Sequence, residues 1–217
     1  MAFLRNFDEF NLERLSPAEQ REVFDRFAPD PQMRVYGRGI RRRLAPMLDG
    51  DAKKVKMALS LVLSMPGTPL FMFGDEIGMG EDLTLPERDS IRTPMQWSDE
   101  RHGGFSKADQ VYRHPVSSGA FGFYQVNVEA QRHDPTSTLN TVKRFIALRK
   151  EHPAFGCGHF RVLDTGVPAV LGLAFSWKDD AVVTLHNLSG DPIEAELDAE
   201  VLERMTQMTA DQQYPEP

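Results

Sequence analysis

The chain has 217 residues, 41% of them hydrophobic and 26% charged, the proportions of an ordinary soluble globular protein, which excludes global disorder. A formal net charge of -7 and a pI near 5.4 exclude the broad positive surface that nucleic acid binding requires. The one basic knot, Arg41 to Arg43, reads as a helix face or as internal ion pairs.

In chain order, Ala2 to Arg5 suits the end of a buried strand. Ser16, Pro17 and Glu19 form a capping box with proline at the first helical position, which predicts a helix over 17–27, stopped by Pro29 and Pro31. A second helix is predicted around 40–48 and a third over 51–64, where Val55, Leu59 and Val62 fall near helical spacing before Pro66 and Gly67. Leu70 to Phe73 is a short continuous apolar run, as expected of a parallel strand buried on both faces. From Gly74 to Pro135 the chain is Gly-rich and aperiodic, which fits a functional loop region. Leu139, Val142, Phe145, Ile146 and Leu148 line a helix that ends before Pro153. Strand-like runs follow at 159–163, 169–177, 181–188 and 193–197, and the tail over 204–217 is polar.

Cys157 is the single cysteine, which excludes an intramolecular disulfide, and the six histidines show none of the spacings that mark a zinc site. Near Met1 there is no basic region followed by an apolar one, so no signal peptide is read. The longest apolar stretch, 57–73, is broken by Pro66, Gly67 and Pro69 and is too short to span a bilayer comfortably. The expectation is a cytoplasmic protein with neither a membrane nor a nucleic acid partner.

FLRNFDEF (3–10), PGTP (66–69), GDEIGMG (74–80) and RTPMQW (92–97), with GRGIRRRLAPML (37–48), resemble the last part of the catalytic barrel of glycoside hydrolase family 13, the α-amylase superfamily. Within it they are most similar to the trehalose synthase and α-glucosidase branch. The resemblance covers Phe3 to about Asp198. It implies an α/β fold: the C-terminal portion of a (β/α)8 TIM barrel over 1–153, a small antiparallel β-domain over 154–203, and the polar tail. A complete barrel typically needs roughly 250 residues, so the barrel is expected to be incomplete here. Retaining glycoside cleavage uses two carboxyl groups about 5 Å apart. The family's nucleophile Asp and acid/base Glu belong to strands upstream of the FLRN segment. The chain is therefore expected to be a C-terminal fragment, inactive alone.

Asp8, in RNFDE, matches the family's third carboxylate, which stabilises the oxocarbenium-like transition state; from local sequence alone it could equally cap a turn. Asn6 and Phe7 precede it in the family's Asn-His-Asp triplet, with Phe7 standing where the family has a histidine that donates to the bound sugar. Loss of such a donor commonly costs about 1–3 kcal/mol. Arg88 and Arg92 lie in the loop that the family places beside its sugar subsites. A guanidinium fork there suits sugar hydroxyls or a carboxylate of the wall, and the alternative is ion pairing with Asp82, Glu87 or Asp89. Asp75 and Glu76 read as loop scaffold. Gln96 and Trp97 could offer a sugar platform, although a tryptophan there more often locks a loop, and Phe105 could line the outer pocket.

No cofactor is expected. Asp82 and Asp89 are compatible with the calcium sites of relatives, but no spacing is diagnostic of one. The implied ligand is an α-glucoside such as maltose or trehalose. Two further readings stand beside this one: a non-catalytic sugar-binding or interaction module, and one half of a split enzyme. The corresponding protein partner is an N-terminal barrel half or, in a homo-oligomer, a second copy of the chain.

Overall fold

The computed structural model describes residues 1–194. The chain divides into two compact units: a larger one of residues 3–59 and 70–143, and a smaller one of residues 1–2, 60–69 and 144 onward.

The larger unit starts with a short strand, β1 (Phe10–Asn11), followed by helix α1 (Pro17–Phe27). Ser16 starts α1 as the sequence demands: its hydroxyl accepts from Glu19 N–H at 3.4 Å, and Glu19 Oε2 accepts from Ser16 N–H at 2.8 Å. The helix buries Phe24 in a cluster with Leu12, Ala28, Ile40 and Met47. Strands β2 (Arg34–Val35) and β3 (Gly39–Ile40) join β1 in an antiparallel sheet of order β1-β3-β2, with Phe10 opposite Ile40 and Asn11 opposite Gly39.

The helix predicted over 40–48 shrinks to α2 (Leu44–Met47). Arg41 to Arg43 stay non-helical, and ψ at Arg43 is 167°. An extended backbone sends successive side chains to opposite sides, which lets three adjacent guanidinium groups tie three different parts of the unit. Arg41 donates to the carbonyls of Leu83 and Leu85, and Arg42 to those of Phe27 and Pro46. Arg43 donates to those of Phe73 and Ile91. Helix α3 (Ala52–Ser64) begins in this unit and packs Val55, Ala58 and Leu59 against Leu44, Ala45 and Val142.

Leu70 to Phe73 carries no ladder, contrary to the strand expected there. Parallel strands buried on both faces need a neighbour on each side, and Leu70 and Phe73 are instead exposed.

The loop region contains three short 3₁₀ helices and helix α4 (Val128–His133), which Asn127 caps by accepting from Ala130 N–H at 2.8 Å. Gln96 holds this region from within. It is fully buried, and its amide donates to the carbonyls of Phe121 at 3.1 Å and Val126 at 2.5 Å. Helix α5 (Thr138–Glu151) follows.

The smaller unit contains helix α6 (Ala154–Cys157) and strands β4 (His159–Leu163), β5 (Val170–Trp177) and β6 (Asp180–Asn187), in an antiparallel sheet of order β4-β5-β6. Phe160 and Val182 both register on Phe175. Leu173 and Phe175 pack on Ala154 and Phe155. Of the strand expected over Ala2 to Arg5, one parallel bridge forms, Ala2 to Pro69. The strand predicted over 193–197 and the tail from 204 lie largely or wholly outside the described residues, and Ile193 and Glu194 are not in a strand. No helix among the described residues is long and apolar enough to cross a membrane.

Candidate active site

The end of the FLRN segment and the 3₁₀ turn Glu87–Ile91 together build a charged cluster. Asn6 folds the local chain: its Oδ1 accepts from Asp8 N–H at 2.9 Å, a turn that presents the Asp8 side chain, which is 56% exposed. From below, the buried Arg5 donates to the carbonyls of Arg42 at 2.8 Å and Asp8 at 3.3 Å. Burial pulls the Arg5 guanidinium down to about 10.

Asp8 Oδ1 receives two guanidinium groups, Arg88 Nη1 at 3.2 Å and Arg92 Nη2 at 3.1 Å. Arg92 Nε also donates to Phe7 O at 2.9 Å. The Arg88 and Arg92 partners are thus Asp8 and its neighbours. Asp82, Glu87 and Asp89, the alternatives considered from sequence, are engaged elsewhere: Asp82 by Thr84, Glu87 by Tyr36 at 2.7 Å and Asp89 by Arg113 at 2.9 Å.

Glu9 has a larger part than its sequence position suggested. Its side chain is 5% exposed and accepts from Arg88 Nε at 2.7 Å, with Arg38 at 3.6 Å. The Arg88 hydrogen bond holds Glu9 below the usual carboxylate range, and Glu9 in turn raises Arg88. Gly39 makes room for it, because a Cβ there would meet Glu9 Cγ at 2.5 Å. The signal that could have found Glu9 is the absence of a side chain at Gly39, which only the pairing of β1 with β3 brings alongside.

Asp75 pairs with Arg43, 3.4 Å from its Nη2, and both side chains are almost wholly buried. Burial pushes Asp75 up to about 6 and Arg43 down; desolvation outweighs their attraction on both sides. Glu76 accepts from Gly74 N–H at 2.6 Å. This GDE segment is a scaffold.

Phe7 meets Phe73, with ring centroids 5.0 Å apart. Of the two residues read as a possible platform, Gln96 is buried and locks the loop, while Trp97, for which packing was the more usual reading, is 47% exposed. Trp97 and Phe105 face one hollow with Phe73, Met95 and Arg92.

The arrangement offers an accessible carboxylate whose second oxygen, Oδ2, has no hydrogen bond among the described residues, flanked by two cations and an aromatic surface. Such a group can bind sugar hydroxyls and offset positive charge developing at an adjacent anomeric carbon. Among the described residues no group of three or more His, Cys, Asp or Glu could hold a metal ion.

Residues 40–158 match the family described as "Alpha amylase, catalytic domain". The chain belongs to the α-amylase family. It is 42% identical over 201 residues to the trehalose synthase/amylase TreS of Mycobacterium tuberculosis, covering 90% of this chain and 33% of that protein. It is also 42% identical over 190 residues to the trehalose synthase of Thermus thermophilus, covering 86% and 20%. Among solved structures, a variant of Bacillus licheniformis trehalose-6-phosphate hydrolase superposes with a TM-score of 0.58 at 22% identity, over 70% of this chain and 33% of that one, a likeness of fold. The chain spans a third or less of the length of these relatives.

Proposed function

We propose that this chain supplies one wall of the active site of a retaining α-glucosyl enzyme acting on a glucoside such as maltose or trehalose. Residues 1–153 would form the last strands and helices of a (β/α)8 barrel, and residues 154–203 a C-terminal β-domain. Asp8 is the transition-state-stabilising carboxylate in this reading, with Asn6 shaping its turn and Phe7, Arg88 and Arg92 lining the sugar site. The observation that carries it is the convergence of Arg88 and Arg92 on one oxygen of an otherwise accessible Asp8. Two guanidinium groups keep the carboxylate oriented and leave its other oxygen for a ligand. The family match and the identity to trehalose synthases support the substrate class.

In this reading the nucleophile and acid/base of the family lie on barrel strands that the 217 residues do not include. The test mixes the chain with the N-terminal part of a trehalose synthase relative and assays maltose conversion to trehalose and glucose. Turnover is expected only on mixing, and Asp8→Asn should reduce it by roughly a hundredfold to a thousandfold, the scale of one electrostatic transition-state contact. A mixture equally active with Asp8→Asn would refute the assignment.

A further inference from the structure

We propose that Tyr36 is a positioning residue for Asp8: its side chain clasps Glu87 and covers the face of Arg88, and so holds the guanidinium that aims the carboxylate. What the aimed carboxylate does in a reaction rests on the α-glucosyl reading above; the clasp itself does not.

Tyr36 and Gly37 are the central residues of the turn between β2 and β3, which Arg38 N–H closes by donating to Val35 O at 3.3 Å. Their φ values are 55° and 66°. Positive φ at both central positions is the pattern of a type I′ turn, whose first such position suits Asn, Asp or Gly. A tyrosine there sets its Cβ against the backbone, at a local cost. Its partner is in the same condition, with φ 46° at Glu87. These two strained residues, 51 positions apart, are joined by Tyr36 Oη donating to Glu87 Oε2 at 2.7 Å. Left-handed residues that carry side chains persist where the surrounding structure over-determines them, and they cluster at functional sites.

What the clasp holds is Arg88. In the plane of its guanidinium, Nε donates to Glu9 at 2.7 Å and Nη1 lies 3.2 Å from Asp8. Two in-plane bonds still let the group swing about the line joining its partners, and a ring against its face opposes that motion. The Tyr36 ring stands there, its centroid 5.5 Å from the guanidinium carbon, within the range of a cation–π contact. The charge-assisted bond to Glu87 keeps the ring in place and raises the Tyr36 phenol above its ordinary value. It also commits the Glu87 carboxylate to Tyr36 instead of the adjacent Arg88, which is left to Asp8 and Glu9. The Glu87 backbone is anchored in turn, its carbonyl accepting from the buried Ser90 hydroxyl at 3.0 Å and from Arg41 Nη1 at 3.4 Å. One hairpin thus serves Arg88 twice: Gly39 clears the space for Glu9, and Tyr36 covers the guanidinium.

The test titrates the Glu9 carboxyl by ¹³C NMR in the full chain, with Glu9→Gln to assign its signal. Glu9 reports on Arg88 because the bond between them holds it below the usual carboxylate range. Tyr36→Asn is the discriminating variant: asparagine suits the turn but is too short to reach Glu87 or to cover Arg88. It should keep its urea unfolding midpoint while Glu9 rises toward the ordinary carboxylate value; a merely structural Tyr36 predicts no movement of Glu9. Tyr36→Phe keeps the turn and the ring but not the tie to Glu87. It should raise Glu9 less, and it decides the matter if Tyr36→Asn fails to fold. Glu87→Gln keeps an acceptor for the hydroxyl and should hold Glu9 low. Glu87→Ala should raise it, against the lowering that removal of a nearby negative charge produces by itself. In the mixing assay Tyr36→Asn should lower kcat roughly tenfold to a hundredfold with KM little changed, the scale of a small misplacement. A Glu9 midpoint unchanged in both Tyr36 variants, or an undiminished kcat, overturns the proposal. A Glu9 that moves without turnover in any mixture would leave the clasp standing and remove the α-glucosyl reading, and Asp8-dependent turnover with an unmoved Glu9 would do the reverse.

Discussion

Replacing Arg43 by methionine would expose how the larger unit is held together. Arg43 is fully buried and donates to the carbonyls of Ile91 at 3.0 Å and of Phe73, while its Nη2 lies 3.4 Å from Asp75. Methionine fills much of the volume but leaves Asp75 without its cation, a change that typically costs about 3–5 kcal/mol. The pH dependence gives a sharper test. Burial already raises Asp75 from 3.8 to about 6 in the intact protein, roughly two units or about 3 kcal/mol. Because the folded state binds this proton more tightly than the unfolded chain, the contribution of Asp75 is fully present below about pH 4 and is lost as pH rises through about 6. Without Arg43 the carboxyl moves higher still, so the deficit of Arg43→Met should be larger at pH 8 than at pH 5. Urea unfolding followed by Trp97 emission in a Trp177→Phe background reports on this unit. Arg43→Met with Asp75→Asn should recover much of the loss. A deficit below about 1 kcal/mol, or one equal at pH 5 and pH 8, would refute a desolvated, paired Asp75.

Three further outcomes are expected from the same unfolding assay. Gly74→Ala should destabilise by about 2 kcal/mol or more, since φ is 88° and the new Cβ would collide with Met79 Sδ and lie 2.8 Å from Arg43 Nη2. Gln96→Ala should cost about 1–3 kcal/mol, by leaving the carbonyls of Phe121 and Val126 without their donor. Glu9→Gln should destabilise at neutral pH, with the deficit shrinking as pH falls through the carboxylate range, because Arg88 lowers the Glu9 pKa in the folded state and that stabilisation is lost on protonation.

Where local chemistry decides, the sequence was sufficient. The Ser16 to Glu19 capping box sets the start of α1 because both of its hydrogen bonds close within four residues. The apolar spacing of α3 and the three strands from His159 to Asn187 likewise emerge where read, to within a residue or two. The motifs around RTPMQW were enough to recognise the family, and they brought Asp8, Arg88 and Arg92 into one hypothesis before any geometry was known. Only tertiary structure decided what each side chain does. Arg41 to Arg43 read equally well as a helical face until partners 30 to 48 residues away, at Phe73, Leu83 and Ile91, drew the backbone out of the helix. Leu70 to Phe73 has a strand's composition, but a strand exists through its neighbours. Gln96 and Trp97 are adjacent in sequence, yet the packing of Phe121 and Val126 buries the first, while the turn closed by Gly103 leaves the second at the surface. Glu9 was legible only as the residue after Asp8, because its buried place depends on a glycine 30 positions on, set beside it by β1 and β3. Caps and periodicity are written within a few residues; charge pairing and exposure depend on contacts between segments that local sequence does not encode.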